Sequence, residues 1–409
     1  MNNILKFLFR GLASASNLIL ALVLVNVLEK NITGMFFTLQ ATMIVFSLIL
    51  RFGVDENIIR YINSYESNVI YFLVQKIKKI LLLLSIPTLI SLFIFIKSLD
   101  FNFSILDFLL FFICVFLFSL LSLFGRFFQA KEKHTEAILI LNLLMPCFLI
   151  LTIYIFSLFL SLNLKLLVLC FIIASFLTCC ICFVMLNKSG NELLITENKT
   201  KKYSGFEFYK SSFFLLCIVF LQNFPFWFIS IYPMKHLGAE AVAVLNFNLK
   251  IASAISIFSV FLNFIIAPKM AKKYTSDFNG FIVFYIKCLL LCFISSVFIG
   301  GLFVIFYDIS IEVLNIKDYK STKIFYSFVF FYVFYSVCIY MTMIYSMIGK
   351  QSISLFFYAL TFLIFVLVGF FILTENIESY SYLMLTYIIS NFFFLFCSQI
   401  TYLHRKKYA

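Results

Sequence analysis

The sequence predicts an all-α polytopic membrane protein: about twelve transmembrane helices in two six-helix lobes related by a parallel pseudo-repeat. Three observations carry this reading. First, 64% of the 409 residues are hydrophobic and 12% are charged, whereas soluble chains run at about 45–50% and 25%. A water-soluble enzyme and a disordered chain are both excluded. Second, the apolar residues form continuous runs rather than alternating, which excludes a β-barrel. A span needs about 20 such residues, or roughly 34 with its loop, so the length makes about twelve spans. Third, the basic residues gather in alternate loops.

The elements follow in order. Ile4–Leu28 comes after the short polar start Met1–Lys6. It lacks a small-residue cleavage site and carries Arg10, so it reads as a retained helix, not a signal peptide. Met35–Asp55 follows the turn Leu28–Gly34, and Ile80–Ile96 follows the basic stretch containing Arg60, Lys76, Lys78 and Lys79. Ile105–Phe128, Ala137–Leu162 and Leu166–Leu186 complete a first lobe, 1–187. The polar, Lys-rich stretch Asn187–Lys210 holds the linker, 188–210. The second lobe, 211–409, contains Ser211–Tyr232, Glu240–Pro268, Phe281–Tyr307, Ile324–Ile348, Ile353–Thr374 and Tyr382–Tyr402.

The net charge is +13, from 31 Lys and Arg against 18 Asp and Glu. On a soluble protein this would suggest nucleic acid; here the basic residues hold cytoplasmic loops in place. With the N-terminus in the cytoplasm, the inside loops carry Lys131, Lys133, Lys188, Lys199, Lys201, Lys202, Lys269, Lys272 and Lys273, and the tail Arg405–Lys407. The outside loops hold the fewer Lys30, Lys97, Lys165, Lys235, Lys317, Lys320 and Lys323. An even helix count returns the C-terminus to the same side. Eleven Cys lie scattered in apolar runs and three His lie far apart. Neither has metal-ligand spacing, so no metal or cofactor is expected.

The lobes read as a repeat. Leu28-Glu29-Lys30-Asn31-Ile32-Thr33-Gly34 precedes the second helix and Leu237-Gly238-Ala239-Glu240-Ala241-Val242-Ala243 the eighth. The shift that puts Gly34 on Ala243 also puts Arg60 on Lys269. Both lobes begin on the cytoplasmic side, so the repeat is parallel, which places a substrate site between the lobes.

Charges inside the hydrocarbon cost about 2.5–3.5 kcal/mol on insertion scales. Arg10, Arg51, Lys250 and Lys287 incur it, and few carboxylates lie as deep. Arg10, Ser14 and Asn17 share one helix face; so do Gln40, Ser47 and Arg51, and Asn246, Lys250 and Ser253. Gln222 and Asn223 form a polar patch with Trp227 around Pro225. A lipid-facing stripe would be costly, so these faces are expected to line a wet, cationic cavity. The alternative for Arg10, Arg51 and Lys287 is snorkelling to the interface, and for Ser and Asn it is gluing helices together. Lys250, near the middle of its run, is the hardest to explain in that way. A cationic cavity suits an anionic substrate such as a phosphorylated sugar.

At this point the chain resembles the Wzx-type repeat-unit flippases of the polysaccharide transporter family, in the superfamily that includes the MATE exporters and the lipid II flippases. The resemblance rests on the two six-helix lobes and on Gly34-Met35-Phe36 followed by Phe52-Gly53-Val54 and Arg60. It rests also on Leu237–Ala243, with Ala243 where a Gly is more typical. It implies a MATE-like fold and transport, not catalysis. The implied substrate is an undecaprenyl-pyrophosphate-linked oligosaccharide, such as an O-antigen unit, turned from the inner to the outer leaflet of the bacterial cytoplasmic membrane by alternating access. Arg10, Arg51 and Lys250 would bind its pyrophosphate or acidic sugars. Membrane lipids, a polymerase and a chain-length regulator are the implied partners, and nucleic acid is not. Two other readings stay open. A Wzy-type O-antigen polymerase would carry a large periplasmic loop, whereas the long loop here falls on the cytoplasmic side. A MATE-type drug exporter would need carboxylates within the helices.

Overall fold

The computed structural model describes residues 3–55, 57–58, 67–99, 101, 103–131, 133–188, 205–256, 266, 270, 277–347, 351–373 and 376–408. Twelve helical stretches run through them in chain order: α1 (Asn3–Val27), α2 (Lys30–Arg51), α3 (Ser67–Ser98) and α4 (Ile105–Ala130). Next, α5 consists of His134–Ile138, a π-helical turn Leu139–Leu144 and Met145–Phe159, and is followed by α6 (Leu164–Lys188) and α7 (Gly205–His236). Last come α8 (Ala239–Ser253, continued by a 3₁₀ turn Ala254–Ser256), α9 (Phe278–Val313), α10 (Thr322–Met347), α11 (Gln351–Ile372) and α12 (Glu378–Tyr408). Among the described residues ten helices are long and apolar enough to cross a membrane. The chain is a multi-pass membrane protein. The repeat register predicted from the turns is met in the backbone: α2 begins at Lys30 and α8 at Ala239, 209 residues apart. Arg60 and Lys269, the other pair in that register, lie outside the described residues, as does most of the 188–210 linker.

By packing, the chain divides into two compact units, Met1–Lys235 and His236–Ala409. The division falls one helix later than the expected linker, because α7 packs against α2. Three side chains make that attachment. Thr38 Oγ1 donates to Ser230 O (3.1 Å). The Phe52 and Phe213 rings lie 6.0 Å apart. Asn57 Nδ2 donates to Phe208 O (3.2 Å), Ser211 Oγ (2.6 Å) and Ser212 Oγ (2.9 Å).

Several polar side chains inside the first unit return to the backbone. Thr42 and Ser119 donate to the carbonyls one turn back, Thr38 O (2.8 Å) and Val115 O (2.7 Å), so their burial leaves no unmet donor. Pro146 has no N–H for the carbonyl of Asn142 four residues earlier. That carbonyl, in the π-helical turn, accepts instead from Ser16 Oγ of α1 at 3.3 Å. At the opening of α4, Ser104 and Asp107 form a capping box, and Lys165 at the start of α6 pairs with Asp107 at 2.8 Å.

In the second unit, α10 packs along α12, α9 and α8. Asn248 on α8 is fully buried and donates to Tyr319 O (3.1 Å), while Tyr307 of α9 donates its hydroxyl to Asn248 Oδ1 (2.7 Å) and accepts from Ser321 N (3.1 Å). Tyr307 also stacks on Phe325 at 3.9 Å. At the far end of the same helices Tyr285 donates to Gln399, whose Nε2 donates to Met341 O (2.8 Å). Lys323, in the first turn of α10, pairs with Glu378 at the start of α12 (3.4 Å).

The Phe52-Gly53 pair ends α2. Phe52 (φ 55°) and Gly53 (φ 68°) are both left-handed, and Phe52 N–H caps the carbonyls of Leu48 and Ile49. A Cβ on Gly53 would lie 2.3 Å from Ser212 O and 2.5 Å from Leu216 N, both backbone atoms of α7 that cannot swing aside. We expect Gly53→Ala to destabilise the purified protein by at least about 1–2 kcal/mol, the cost of a left-handed L-residue before any clash. A thermal melt checks it, and an unchanged midpoint would refute the close approach.

Candidate functional site

The polar residues expected to act on substrate fall in both units. In the first unit, the side chains of Arg10 and Ser14 lie outside the described residues. Asn17, one turn beyond Ser14 on α1, is exposed. On α2, Gln40 is half-buried, while Ser47 and Arg51 are buried. Ser47 Oγ donates to Ile44 O (2.7 Å), and its own carbonyl accepts from Arg51 Nε (3.0 Å) and from Ser119 Oγ of α4 (3.4 Å). Arg51 Nη1 pairs with Asp55 Oδ2 at 2.7 Å, and both side chains are nearly closed to solvent, at 5% and 6% exposure. The left-handed turn at Phe52 and Gly53 brings the Asp55 carboxylate back onto Arg51. Asp55 thereby neutralises the deepest cation of α2.

On α7, Gln222 and Asn223 are half-buried, and Asn223 Nδ2 donates to Val219 O (2.8 Å). Trp227 lies one turn on, with ring centroids 5.3 Å from Phe95 and 5.6 Å from Phe224. Its indole N–H is closed to solvent and has no acceptor among the described residues.

In the second unit, α8 presents two faces. Asn246, Lys250 and Ser253 form one stripe at spacings of four and three residues. Asn246 is buried and donates to Val242 O (3.1 Å), Lys250 is half-buried, and Ser253 Oγ donates to Lys250 O (2.6 Å). Asn248, two residues from Asn246 and so roughly opposite it on the helix, belongs to the Tyr307–Tyr319 network behind. Lys250 stands in the last α-helical turn before the 3₁₀ turn. The α8 stripe is therefore a cation between two polar groups, carried on a helix that its opposite face locks in rotation. Lys287 is exposed on α9, away from that stripe in sequence and on an apolar face.

Sequence reasoning did not single out Asn57, Asn248 or Tyr307. Asn57 follows Phe52-Gly53 closely, and Asn248 sits two residues from the striped Asn246; both signals were present but not tied to a partner. Among the described residues no three His, Cys, Asp or Glu side chains gather as a metal site.

The fold has known counterparts. A lipid II flippase, MurJ, in an inward closed conformation matches with a TM-score of 0.71 and 11% identity over 97% of this chain and 87% of that one. An inward-facing multidrug resistance MATE transporter of the MOP superfamily matches at 0.66 and 12% identity, over 99% of both chains. A MOP superfamily transporter from Pyrococcus furiosus, described as having a binding pocket of reverse polarity, matches at 0.64 and 10% identity over 98% and 94%. At these identities the likeness establishes the fold alone, a MATE-like fold shared with these structures. No protein-family model matches the chain, and no curated protein sequence does either.

The Arg51–Asp55 pair makes a measurable claim. Removing one partner of a buried pair strands the other charge, at a cost of about 3–5 kcal/mol, whereas removing both is often neutral. Arg51→Met is expected to lower the melting temperature sharply, and Arg51→Met with Asp55→Leu to restore most of it. A double variant as unstable as the single one would show that Arg51 is held by more than Asp55.

Proposed function

We propose that the chain is a flippase that carries an undecaprenyl-pyrophosphate-linked oligosaccharide, an O-antigen unit or a similar repeat, across a bacterial cytoplasmic membrane. In this reading the six-helix repeats 1–187 and 211–409 are the working halves and both termini are cytoplasmic, as the asymmetry of basic loops requires. Transport proceeds by alternating access. Lys250 and Arg10 bind the pyrophosphate, Asn246, Ser253, Asn17, Gln40, Gln222 and Asn223 meet sugar hydroxyls, and Trp227 offers an aromatic face and an N–H donor. Arg51 and Ser47 set the inner end of α2.

The observation that carries the reading is Lys250, a half-buried cation on the polar stripe of α8, with Phe247, Leu249 and Ala252 buried beside it. A phosphate repays the desolvation of such a cation through charge-assisted hydrogen bonds. A drug exporter is favoured by the MATE neighbours, but a cationic drug calls for an available carboxylate. The buried carboxylates among the described residues are Asp55 and Asp107, and Arg51 and Lys165 neutralise them. A polymerase would be an enzyme on a fold whose counterparts named above are a flippase and transporters.

Loss of the protein should leave surface glycolipid with no repeat unit attached, read on a gel; a single attached unit would mean polymerisation and overturn the proposal. Lys250→Ala should lower surface polysaccharide about 10- to 100-fold at normal protein level, the worth of one charged hydrogen bond, and Lys250→Arg should retain part. Full activity of Lys250→Ala would remove Lys250 from the site.

A further inference from the structure

Lys287 asks for a different partner. α9 has 36 residues, about 54 Å of helix at 1.5 Å per residue, whereas the hydrocarbon core takes about 30 Å, or about 20 residues. One boundary is marked by the solvent-exposed ion pair of Asp308 with Lys320 (2.8 Å), which holds the Lys320 ammonium above its ordinary pKa. Counting about 20 residues back from Asp308 reaches Lys287 and Cys288. Lys287 therefore stands at the opposite boundary, at head-group depth. The surface around it is apolar: Val283, Leu290, Leu291 and Ile294, its neighbours at three, four and seven residues, are each 49–63% exposed. A face of that kind contacts acyl chains, not water. Toward the helix start the same side opens into a shallow depression lined by Asn279, Gly280, Val283, Phe284 and Lys287. Among the described residues no carboxylate pairs with Lys287. Asp277 caps the helix through Gly280 N (2.9 Å), ten residues and about 15 Å of helix away.

The repeat-equivalent helix of the first unit is built alike. α3 has 32 residues and exposes Leu82, Leu83, Ile86, Ile90 and Ile94. Lys97 marks its far end, and about 20 residues back lie Lys76 and Lys78. Lys78 is exposed, and Lys76 lies over the Tyr209 ring at 5.5 Å.

We propose that the N-terminal end of α9 binds an anionic membrane phospholipid, its phosphate on Lys287 Nζ and its head-group in the depression beside Asn279 and Val283, with an acyl chain along Leu290, Leu291 and Ile294. This assigns Lys287 to the lipid surface rather than to the transported substrate, and it stands apart from the flippase reading. The test is native mass spectrometry of the purified full-length protein titrated with phosphatidylglycerol or phosphatidylcholine. Lys287→Ala should weaken phosphatidylglycerol binding about fivefold, the worth of one surface lysine near anionic lipid, and leave phosphatidylcholine unchanged. Lys287→Arg should keep the preference. Equal phosphatidylglycerol binding by wild type and Lys287→Ala would overturn the proposal, as would an equal loss for both lipids or displacement of the lipid by inorganic phosphate. Surface polysaccharide in cells carrying Lys287→Ala should stay normal. Its loss with lipid binding intact would return Lys287 to the transport path, while failure of the flippase reading would leave the lipid result standing.

Discussion

Hydrocarbon offers no hydrogen bonds, so a polar group placed in it is costly unless it finds its partner within the protein. Most of the interior of each unit follows from that one constraint. Ser and Thr hydroxyls fold back onto carbonyls of their own helices. The Asn142 carbonyl, which Pro146 has no N–H to serve, accepts from Ser16 of a different helix. Arg51 is tolerated at 5% exposure because a left-handed turn delivers Asp55 to it. The same turn brings Gly53 against the α7 backbone and sets Asn57 over three acceptors on α7. The turn that neutralises one cation thus also carries contacts that tie α7 to the end of α2, within the first compact unit.

The two lobes repeat in backbone and diverge in chemistry. α2 and α8 start in the same register, yet α2 closes on an arginine–aspartate pair while α8 carries a lysine on a polar stripe near its end. The ion pairs at the helix starts show the divergence more simply. The first helix of each pair opens with a charge that pairs with the start of the helix two places on: Asp107 with Lys165, and Lys323 with Glu378. The position is kept and the signs are exchanged. Such a swap preserves the attraction, so the repeat constrains geometry and leaves the sign free at each end.

The sequence made local features legible. Continuous apolar runs mark all twelve helices to within a few residues at most ends, and the stripes of α2 and α8 follow from helical spacing alone. Several helices are longer than their runs: α3 starts at Ser67 rather than Ile80, α7 at Gly205 rather than Ser211, and α9 and α12 extend to Val313 and Tyr408 rather than Tyr307 and Tyr402. Hydropathy reports where a helix leaves the hydrocarbon, not where its backbone bonding stops. Pairings over long separations were not legible. Asn57 with Ser212, Asp107 with Lys165 and Asn248 with Tyr307 are joined by packing that no periodicity encodes. The motif Phe52-Gly53 was visible as a pattern, but its reason, the close approach of α7, was not.

Insertion cost treats Lys250 and Lys287 alike, since each is an ammonium within an apolar run. Their surroundings separate them. Lys250 lies between Asn246 and Ser253, and the far side of its helix is held by the Asn248–Tyr307 bond, so its side chain is presented at a defined azimuth. Lys287 lies among exposed aliphatic side chains, at the depth where a four-carbon stem can reach the interface. A cation fixed among polar groups on a rotationally locked helix can select a ligand by geometry. One on a lipid-facing surface can only select by charge, because the lipid around it is fluid. The first property suits a transported pyrophosphate, and the second suits a phospholipid that steadies the helix from outside.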